Sequence, residues 1–311
     1  MRSPLHLLVC LLAASGLGGC SIKGMALNAV ADALSQNGDT FSADEDADLV
    51  RDAIPFGLKT YESVLAGVPE HRGLLLATAS GFTQYAYAFV VLEADRLEED
   101  DRKRARELRL RARKLFLRGR DYALRGLDVD HPGFSKQLRE DPARALAETT
   151  AEDAGLLYWC GVSWAAAVMT GKDDMDLVAD LPLAGLLVDR VLALDERFGA
   201  GAAHEFMISY DGSRPEAMGG SPVRAREHYR KAVEFSEGKR ASVHLALAES
   251  VCTREQNMVE FRSLLAAAKA VDPDAVPSQR LVNVLARRRA DFLESKLSDL
   301  FVTPEGEENK K

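Results

Sequence analysis

The sequence has 311 residues, of which 47% are hydrophobic and 7% aromatic, and its formal net charge is -8 at pH 7. A chain of this length can bury one large core or two moderate ones. Ala and Leu are abundant and runs of β-branched residues are scarce, so the composition favours helices. The negative net charge gives the whole chain no electrostatic reason to bind nucleic acid.

The first twenty residues have the pattern of a secretion signal. Arg2 precedes an apolar segment from Leu5 to Ala14, and Leu17-Gly18-Gly19-Cys20 follows. That tetrapeptide resembles a bacterial lipobox, which implies removal of residues 1–19 as a signal peptide and lipidation of Cys20. Ser21 then implies sorting to the periplasmic face of the outer membrane. The alternative is an ordinary signal peptide with a chance cysteine.

The mature chain is predicted to be one helical domain over residues 42–302. Residues 20–41 are predicted to be the lipidated cysteine and its tether, and residues 303–311 a disordered charged tail. Ser42-Ala43-Asp44-Glu45 has the capping-box pattern, and the helix after it is expected to bury Leu49 and Phe56. Thr150-Ala151-Glu152-Asp153 has the same pattern. The predicted helices after residue 180 are Pro182–Phe198, Ala200–Tyr210, Ser221–Ser236, Arg240–Thr253, Gln256–Val271 and Pro277–Phe301.

Two stretches without charged side chains decide between a membrane protein and a buried core. Gly73 to Leu92 contains twenty residues, which is enough to span a bilayer, and Ala154 to Gly171 is a second uncharged run. The first stretch carries Thr78 and Thr83 near its centre. Such polarity is costly against lipid but ordinary between protein helices, where each group finds a partner. Buried helices are therefore predicted.

The segment from Asp100 to Leu127 is predicted to be a long packing helix with a basic face. Ten basic side chains lie between Arg102 and Arg120. That face could bind nucleic acid or anionic lipid, or it could be a solvated face. The solvated face is favoured, because a secreted acidic protein rarely meets nucleic acid.

Cys160 and Cys252 are the two cysteines left in the mature chain after Cys20. Both lie inside apolar helical patterns. A disulfide and two buried thiols are both compatible with an oxidising compartment. Buried thiols are favoured, because nothing in the sequence predicts the close approach of two Cβ atoms that a disulfide requires.

Several predicted helices share an ending that resembles the second helix of a tetratricopeptide repeat. The endings are Val64–Pro69, Gly126–Pro132, Val191–Asp195 and Ala270–Pro273. Their spacing is far from a regular 34-residue period. The fold class predicted is therefore all-α, a divergent tetratricopeptide-like solenoid built as a right-handed stack of antiparallel helices, with a concave surface.

Catalytic signatures are absent from the sequence. Glu70-His71 and His204-Glu205 lack a second histidine at metal-binding spacing, and Gly219-Gly220-Ser221 has no following lysine to form a phosphate loop. No enzyme activity, cofactor or metal is predicted. Uncharged polar and aromatic side chains in the two uncharged helices could instead line a pocket for an amphipathic small molecule. The candidate ligand-binding residues are Ser80, Gln84, Tyr87, Tyr158, Trp159, Ser163 and Trp164. The alternative is that these side chains are hydrogen-bonded core residues.

Longer motifs carry a more specific resemblance. Residues 52–63, 80–89 and 157–164, continued by His204-Glu205-Phe206, Gly219-Gly220-Ser221, Ala225–Tyr229 and Ala248–Val251, are similar to the T component of TRAP transporters, called TatT. The resemblance covers roughly residues 25 to 300. It implies a periplasmic lipoprotein with no catalytic residues, a homotrimer with a cleft or pore in each subunit, and association with the solute-binding P component.

Two functional classes are therefore predicted. The first is a transport accessory that binds a small hydrophobic or carboxylate ligand and docks a periplasmic solute-binding protein. The alternative is an outer-membrane-anchored interaction scaffold for envelope assembly, in which the uncharged helices are core and the concave surface binds a protein partner. No nucleic-acid partner is expected in either class.

Overall fold

A computed structural model describes residues 22–36 and 39–302, and these residues form an all-α fold without a β-strand. The predicted fold class is thereby confirmed, while the right-handed solenoid stays a prediction. The predicted signal peptide, the lipidation of Cys20 and the charged tail at 303–311 lie outside the described residues.

The α-helices follow one another through short connections. They are α1 (22–36), α2 (Asp39–Ser42), α3 (Ala47–Leu65), α4 (Arg72–Tyr85), α5 (Leu92–Leu97), α6 (Arg102–Asp130), α7 (Phe134–Glu140), α8 (Pro142–Ala147), α9 (Ala154–Thr170), α10 (Met175–Ala179), α11 (Leu181–Leu194), α12 (Phe198–Ser213), α13 (Pro222–Phe235), α14 (Ser242–Leu247), α15 (Met258–Ala270), α16 (Arg280–Ser295) and α17 (Leu297–Leu300). Two π-helical segments, Ala86–Val91 and Ala248–Cys252, and three 3-10 turns, Ala151–Asp153, Glu216–Met218 and Pro277–Gln279, complete the described helical structure.

The first uncharged stretch forms a helix inside the protein. Arg72–Leu97 is long and apolar enough to cross a membrane, yet half of its apolar window is buried within the domain, against α3, α6 and α9. The hydroxyls of Thr78 and Thr83 donate to Leu74 O at 2.6 Å and to Ala79 O at 2.7 Å. The central polar groups are thus satisfied by the helix's own carbonyls, as expected of a core helix.

The main core lies among α4, α6, α9 and α11. Its fully buried side chains include Phe116, Leu157, Trp164 and Leu187. A Cβ at Gly161 would lie 2.8 Å from Ala184 O, so α9 and α11 approach each other closely because that position carries no side chain. A second core, centred on Phe261 and Leu265, joins α12 to α16.

The helix starts were predicted with mixed success. Thr150 and Asp153 form the expected capping box, which precedes α9 through one 3-10 turn. The box at Ser42 was wrong, because Asp46 caps α3 instead and accepts from the amides of Asp48 and Leu49.

The expected burial of Leu49 and Phe56 was also wrong. Both side chains are exposed, and Phe56 keeps 80% of its area open. Helix α3 packs its other face, with Val50, Leu58 and Leu65, against the rest of the domain. Leu49 and Phe56 lie seven positions apart, so they leave an exposed apolar stripe on one face of α3.

Ion pairs account for much of the basic face of α6. Arg109 pairs with Asp95 and Glu98, and Arg118 pairs with Glu62. These pairs fit the favoured prediction of a solvated face.

The cysteines also fit the favoured prediction. Cys160 in α9 and Cys252 at the end of the second π-helical segment are both buried and free. Burial raises the pKa of both thiols to about 12, so neither is present as the reactive thiolate near neutral pH.

The last long helix, α16, packs on the first helices. Each long helix contacts its neighbours in sequence, and α16 then returns to α2 and α3. Leu281 packs with Ala47 and Val50 in a small apolar cluster. The Arg280 guanidinium donates to Ala43 O at 3.1 Å, and Lys296 pairs with Glu99. The described helices therefore close into a ring.

Candidate functional site

Tyr87 is both solvent-accessible and surrounded by protein. Its side chain keeps 52% of its area exposed, yet burial raises the pKa of its hydroxyl above its ordinary value. The Glu249 carboxylate raises this pKa further, and Arg289 acts in the opposite sense. Tyr87 therefore has one open face, while protein atoms and the charges of Glu249 and Arg289 lie around the rest of its side chain.

Tyr158 lies near Glu205, one of the charged groups around Tyr87. Burial raises the pKa of its hydroxyl, Glu205 raises it further, and Arg240 opposes the shift. Glu205 also raises the pKa of Tyr87, which brings both tyrosines to one site. We call this site the charged recess, and its residues are Tyr87, Asp95, Tyr158, Glu205, Arg240, Glu249 and Arg289.

The charges of the recess are held in two groups of ion pairs. Arg240 lies 3.2 Å from Glu205 and donates to Gly199 O at 2.8 Å. Arg289 lies 2.5 Å from Glu249 and 3.0 Å from Asp95, the latter contact being an ion pair without hydrogen-bond alignment. These contacts hold the guanidinium groups of Arg240 and Arg289 in place, so the charged groups are preorganised for a bound molecule.

Irregular backbone converges on the charged recess. The π-helical segments Ala86–Val91 and Ala248–Cys252 carry Tyr87 and Glu249. At the start of α12, residues 199–201 are left-handed, with φ of 57°, 53° and 89°. π-Helical turns and left-handed non-glycine residues are destabilising by themselves and concentrate at functional sites.

Three of the predicted site residues belong to the charged recess or contact it, and two more lie on the helix that leads into Tyr87. Tyr87 and Tyr158 belong to the recess, and Trp159 packs edge-to-face on Tyr158 at 5.1 Å. Ser80 is half-buried and donates to a carbonyl of its own helix, while Gln84 is exposed one turn before Tyr87. A ligand contact by any of these five residues stays a prediction.

Ser163 and Trp164 lie in the core. The Ser163 hydroxyl donates to Trp159 O and to Cys160 O. Trp164 is 1% exposed, and Arg120 and Arg139 lie 5.0 and 5.1 Å from its ring centroid. The structure gives both side chains a packing role, and their predicted ligand role has no support in this geometry.

The comparison with known proteins identifies the family. The family described as TRAP transporter T-component, TAtT, matches residues 43–301. The chain belongs to the TRAP transporter T-component family. It is also 30% identical over 322 residues to an uncharacterized protein of Treponema pallidum (strain Nichols), covering 97% of this chain and 100% of the relative. The resemblance inferred from the motifs is thereby confirmed.

Sequence reasoning missed the charged half of this T component's recess. Glu249 was recognisable as a single acid within the apolar run Val243–Cys252, and Glu205 as the acid beside His204. Arg240 and Arg289 carry no such signal, since arginines are frequent throughout the chain. Their role depends on the ring, which helical periodicity cannot predict.

The described residues offer no metal site to this T component. Over residues 22–36 and 39–302, no group of three His, Cys, Asp or Glu side chains is arranged to hold a metal ion. The charged recess presents hydrogen-bond donors, fixed charges and aromatic surface.

Proposed function

We propose that this chain is a TRAP transporter accessory lipoprotein that binds an amphipathic carboxylate in the charged recess and associates with the periplasmic solute-binding P component. The family membership supports the transport role. The observation that carries ligand binding is the pair of tyrosines in a recess built from irregular backbone. Cys20 would carry the lipid at the outer membrane, and the functional unit would be a homotrimer without enzymatic activity.

The chemistry of the tyrosines favours a carboxylate group on the ligand. Both hydroxyls are protonated at neutral pH, as an ordinary tyrosine is, and their raised pKa values keep them so; each can donate a hydrogen bond. The Tyr158 hydroxyl donates to Ala202 O at 3.4 Å, which is a long hydrogen bond. A ligand carboxylate could replace Ala202 O as the acceptor, because hydrogen bonds to charged acceptors are stronger. Tyr158, Trp159 and Phe198 supply aromatic surface for an apolar ligand body.

The partner and ligand can be tested together. Lipidated protein would be purified from native membranes and analysed by mass spectrometry for bound proteins and small molecules. Recovery of a solute-binding protein with a carboxylate supports the proposal. Recovery of envelope-assembly factors without a small molecule or a solute-binding protein would instead support the interaction scaffold, for which the exposed Phe56 is the favouring observation.

The recess itself is tested by Tyr87→Phe and Tyr158→Phe. Each change removes one hydroxyl, and loss of a hydrogen bond to a charged group costs about 1.5–3 kcal/mol, which weakens affinity by about tenfold or more. Tyr61→Phe is the matched control, since its hydroxyl contacts Leu34 O instead of the recess. Equal ligand retention in all three variants would place the ligand elsewhere.

A further inference from the structure

A second cavity lies among α11, α12 and α13 and belongs to none of the assignments above. Its volume is about 470 Å³, within the range of small-molecule sites. We call it the α12 pocket. It is distinct from the charged recess because Met207, Tyr210 and Asp211 line it, whereas Glu205 of the same helix faces Tyr87 and Tyr158.

The cationic side of the α12 pocket is rigid. Asp211, 1% exposed, accepts from Arg224 Nε at 3.0 Å, from Arg224 Nη2 at 2.7 Å and from Arg214 Nη2 at 3.1 Å. Gly219 O accepts from both guanidinium groups. A Cβ at Gly220 would lie 2.0 Å from Arg214 O, so this glycine lets the loop close on the arginines.

The hydrogen bonds to Asp211 and Gly219 use Nε and Nη2 of Arg224 but not its Nη1. Two guanidinium groups surround one carboxylate, so one positive charge is in excess. Arg224 lines the α12 pocket, half of its side chain is exposed, and its Nη1 has no hydrogen-bond partner within residues 22–36 and 39–302. Nη1 can therefore donate to an anionic group in the cavity.

Asp189 places a carboxylate on the same cavity. It forms no ion pair or hydrogen bond with any residue in the described part of the chain, and it does not pair directly with Arg224. Burial and the neighbouring Asp211 carboxylate raise the pKa of Asp189, and Arg214 and Arg224 act against that shift. The Asp189 side chain is exposed to solvent on the wall of the cavity, so a cationic group that enters the cavity can reach its carboxylate.

The remaining wall is apolar and uncharged. Pro182, Leu186 and Met207 line it. Burial is also the main reason that the pKa of His228 lies below its ordinary value, so the imidazole adds no third charge at neutral pH. The pocket therefore offers one free carboxylate, one free guanidinium nitrogen and an apolar surface.

We propose that the α12 pocket binds the zwitterion of a free α-amino acid with an apolar side chain. The ammonium group pairs with Asp189, the carboxylate accepts from Arg224 Nη1, and the side chain packs on Leu186 and Met207. Two opposite charges that face one cavity without pairing with each other match a ligand that carries both charges on one carbon. This site is independent of the recess and of the transport proposal.

The test is calorimetric titration of the full-length protein with three probes. They are L-leucine, 3-methylbutylamine, which lacks the carboxylate, and 4-methylpentanoate, which lacks the ammonium group. L-Leucine is expected to bind at least about tenfold more tightly than either analogue, since each removes one charged contact. Absence of leucine binding at about 1 mM, or equal affinity for all three probes, would overturn the proposal.

A variant then assigns the ammonium contact. Asp189→Asn is expected to weaken leucine binding by about tenfold and not to weaken 4-methylpentanoate binding, because the change removes a carboxylate that faces the same cavity. Asp176→Asn, an exposed acid in another part of the surface, is the control and should bind leucine as the wild type does. Thermal unfolding of each variant verifies the fold. Unchanged leucine affinity in folded Asp189→Asn protein would contradict the assignment.

Discussion

At the scale of single residues, His204 and His228 form a pair that shares one proton. Their Nδ1 atoms lie 2.7 Å apart, so one ring donates while the other accepts. His204 is buried against Phe235, and its Nε2 has no hydrogen-bond partner among the described residues. Burial and the neighbouring His228 lower the pKa of His204 from 6.5 to about 4.

The histidine pair predicts an acid-sensitive stability. Because the folded state keeps His204 neutral while the unfolded state takes up a proton, this contribution is complete above about pH 6.5 and is lost as the pH falls towards about 4. Urea unfolding at a series of pH values would measure it. His204→Gln should flatten the dependence in that window. Identical pH profiles for both proteins would show that His204 titrates normally.

Gln84 gives a second prediction at this scale. Its side chain is exposed, so Gln84→Leu should change the free energy of unfolding by less than about 0.5 kcal/mol. If Gln84 contacts the ligand at the recess, affinity should fall in the same variant. Thermal unfolding and ligand titration measure the two effects separately. A collapse of thermal stability would instead show a structural hydrogen bond.

At the scale of elements, helices could be predicted and their irregularities could not. The long helices follow from apolar spacing and from caps such as Thr150. Leu49 and Phe56 were misplaced because α3 has two apolar stripes and tertiary contacts choose between them. The π-helical segments are invisible in the sequence, because the apolar pattern runs through Ala86–Val91 without a break.

The left-handed turn at the start of α12 yields a prediction about backbone strain. Gly201 has a φ of 89°, and a Cβ there would lie 3.1 Å from Ala232 Cα. Gly201→Ala should therefore destabilise the protein by about 1–3 kcal/mol in urea unfolding. Ala200→Gly should cause no such loss, since glycine adopts positive φ readily.

Gly24 provides the control for that prediction. It lies in α1 with no atom within 4 Å of a built Cβ, so Gly24→Ala should be neutral or stabilise by up to about 1 kcal/mol. If Gly201→Ala were as harmless as Gly24→Ala, residues 199–201 would have to adopt another conformation in solution.

At the scale of the whole molecule, the packing of the last long helix on the first helices brings the residues of the charged recess together. The charged recess takes residues from the first half of the chain, such as Tyr87, and from the last helices, such as Arg289. Periodicity predicts which face of each helix is apolar, but it does not say which distant helix covers that face. The tyrosines were therefore predictable as a polar face, while their charged neighbours were not.

Closure can be weakened at one buried contact. Leu281 is buried against Ala47 and Val50, so Leu281→Ala should cost about 2–4 kcal/mol and speed amide exchange in both α3 and α16. Val282→Ala is the control, because that side chain is 37% exposed and should cost less than about 1 kcal/mol. Faster exchange confined to α16 would mean that α3 is stable without it.

The closed ring also limits how such a chain can change in length. An open stack of helix pairs tolerates the gain or loss of a pair at either end, because each pair contacts its neighbours alone. Here an extra pair would separate Arg280 from Ala43 and Lys296 from Glu99. Insertions in a connecting loop, such as the one between α12 and α13, would leave the contacts that close the ring in place. The helix number is a geometric property of the ring, as the number of blades is in a propeller.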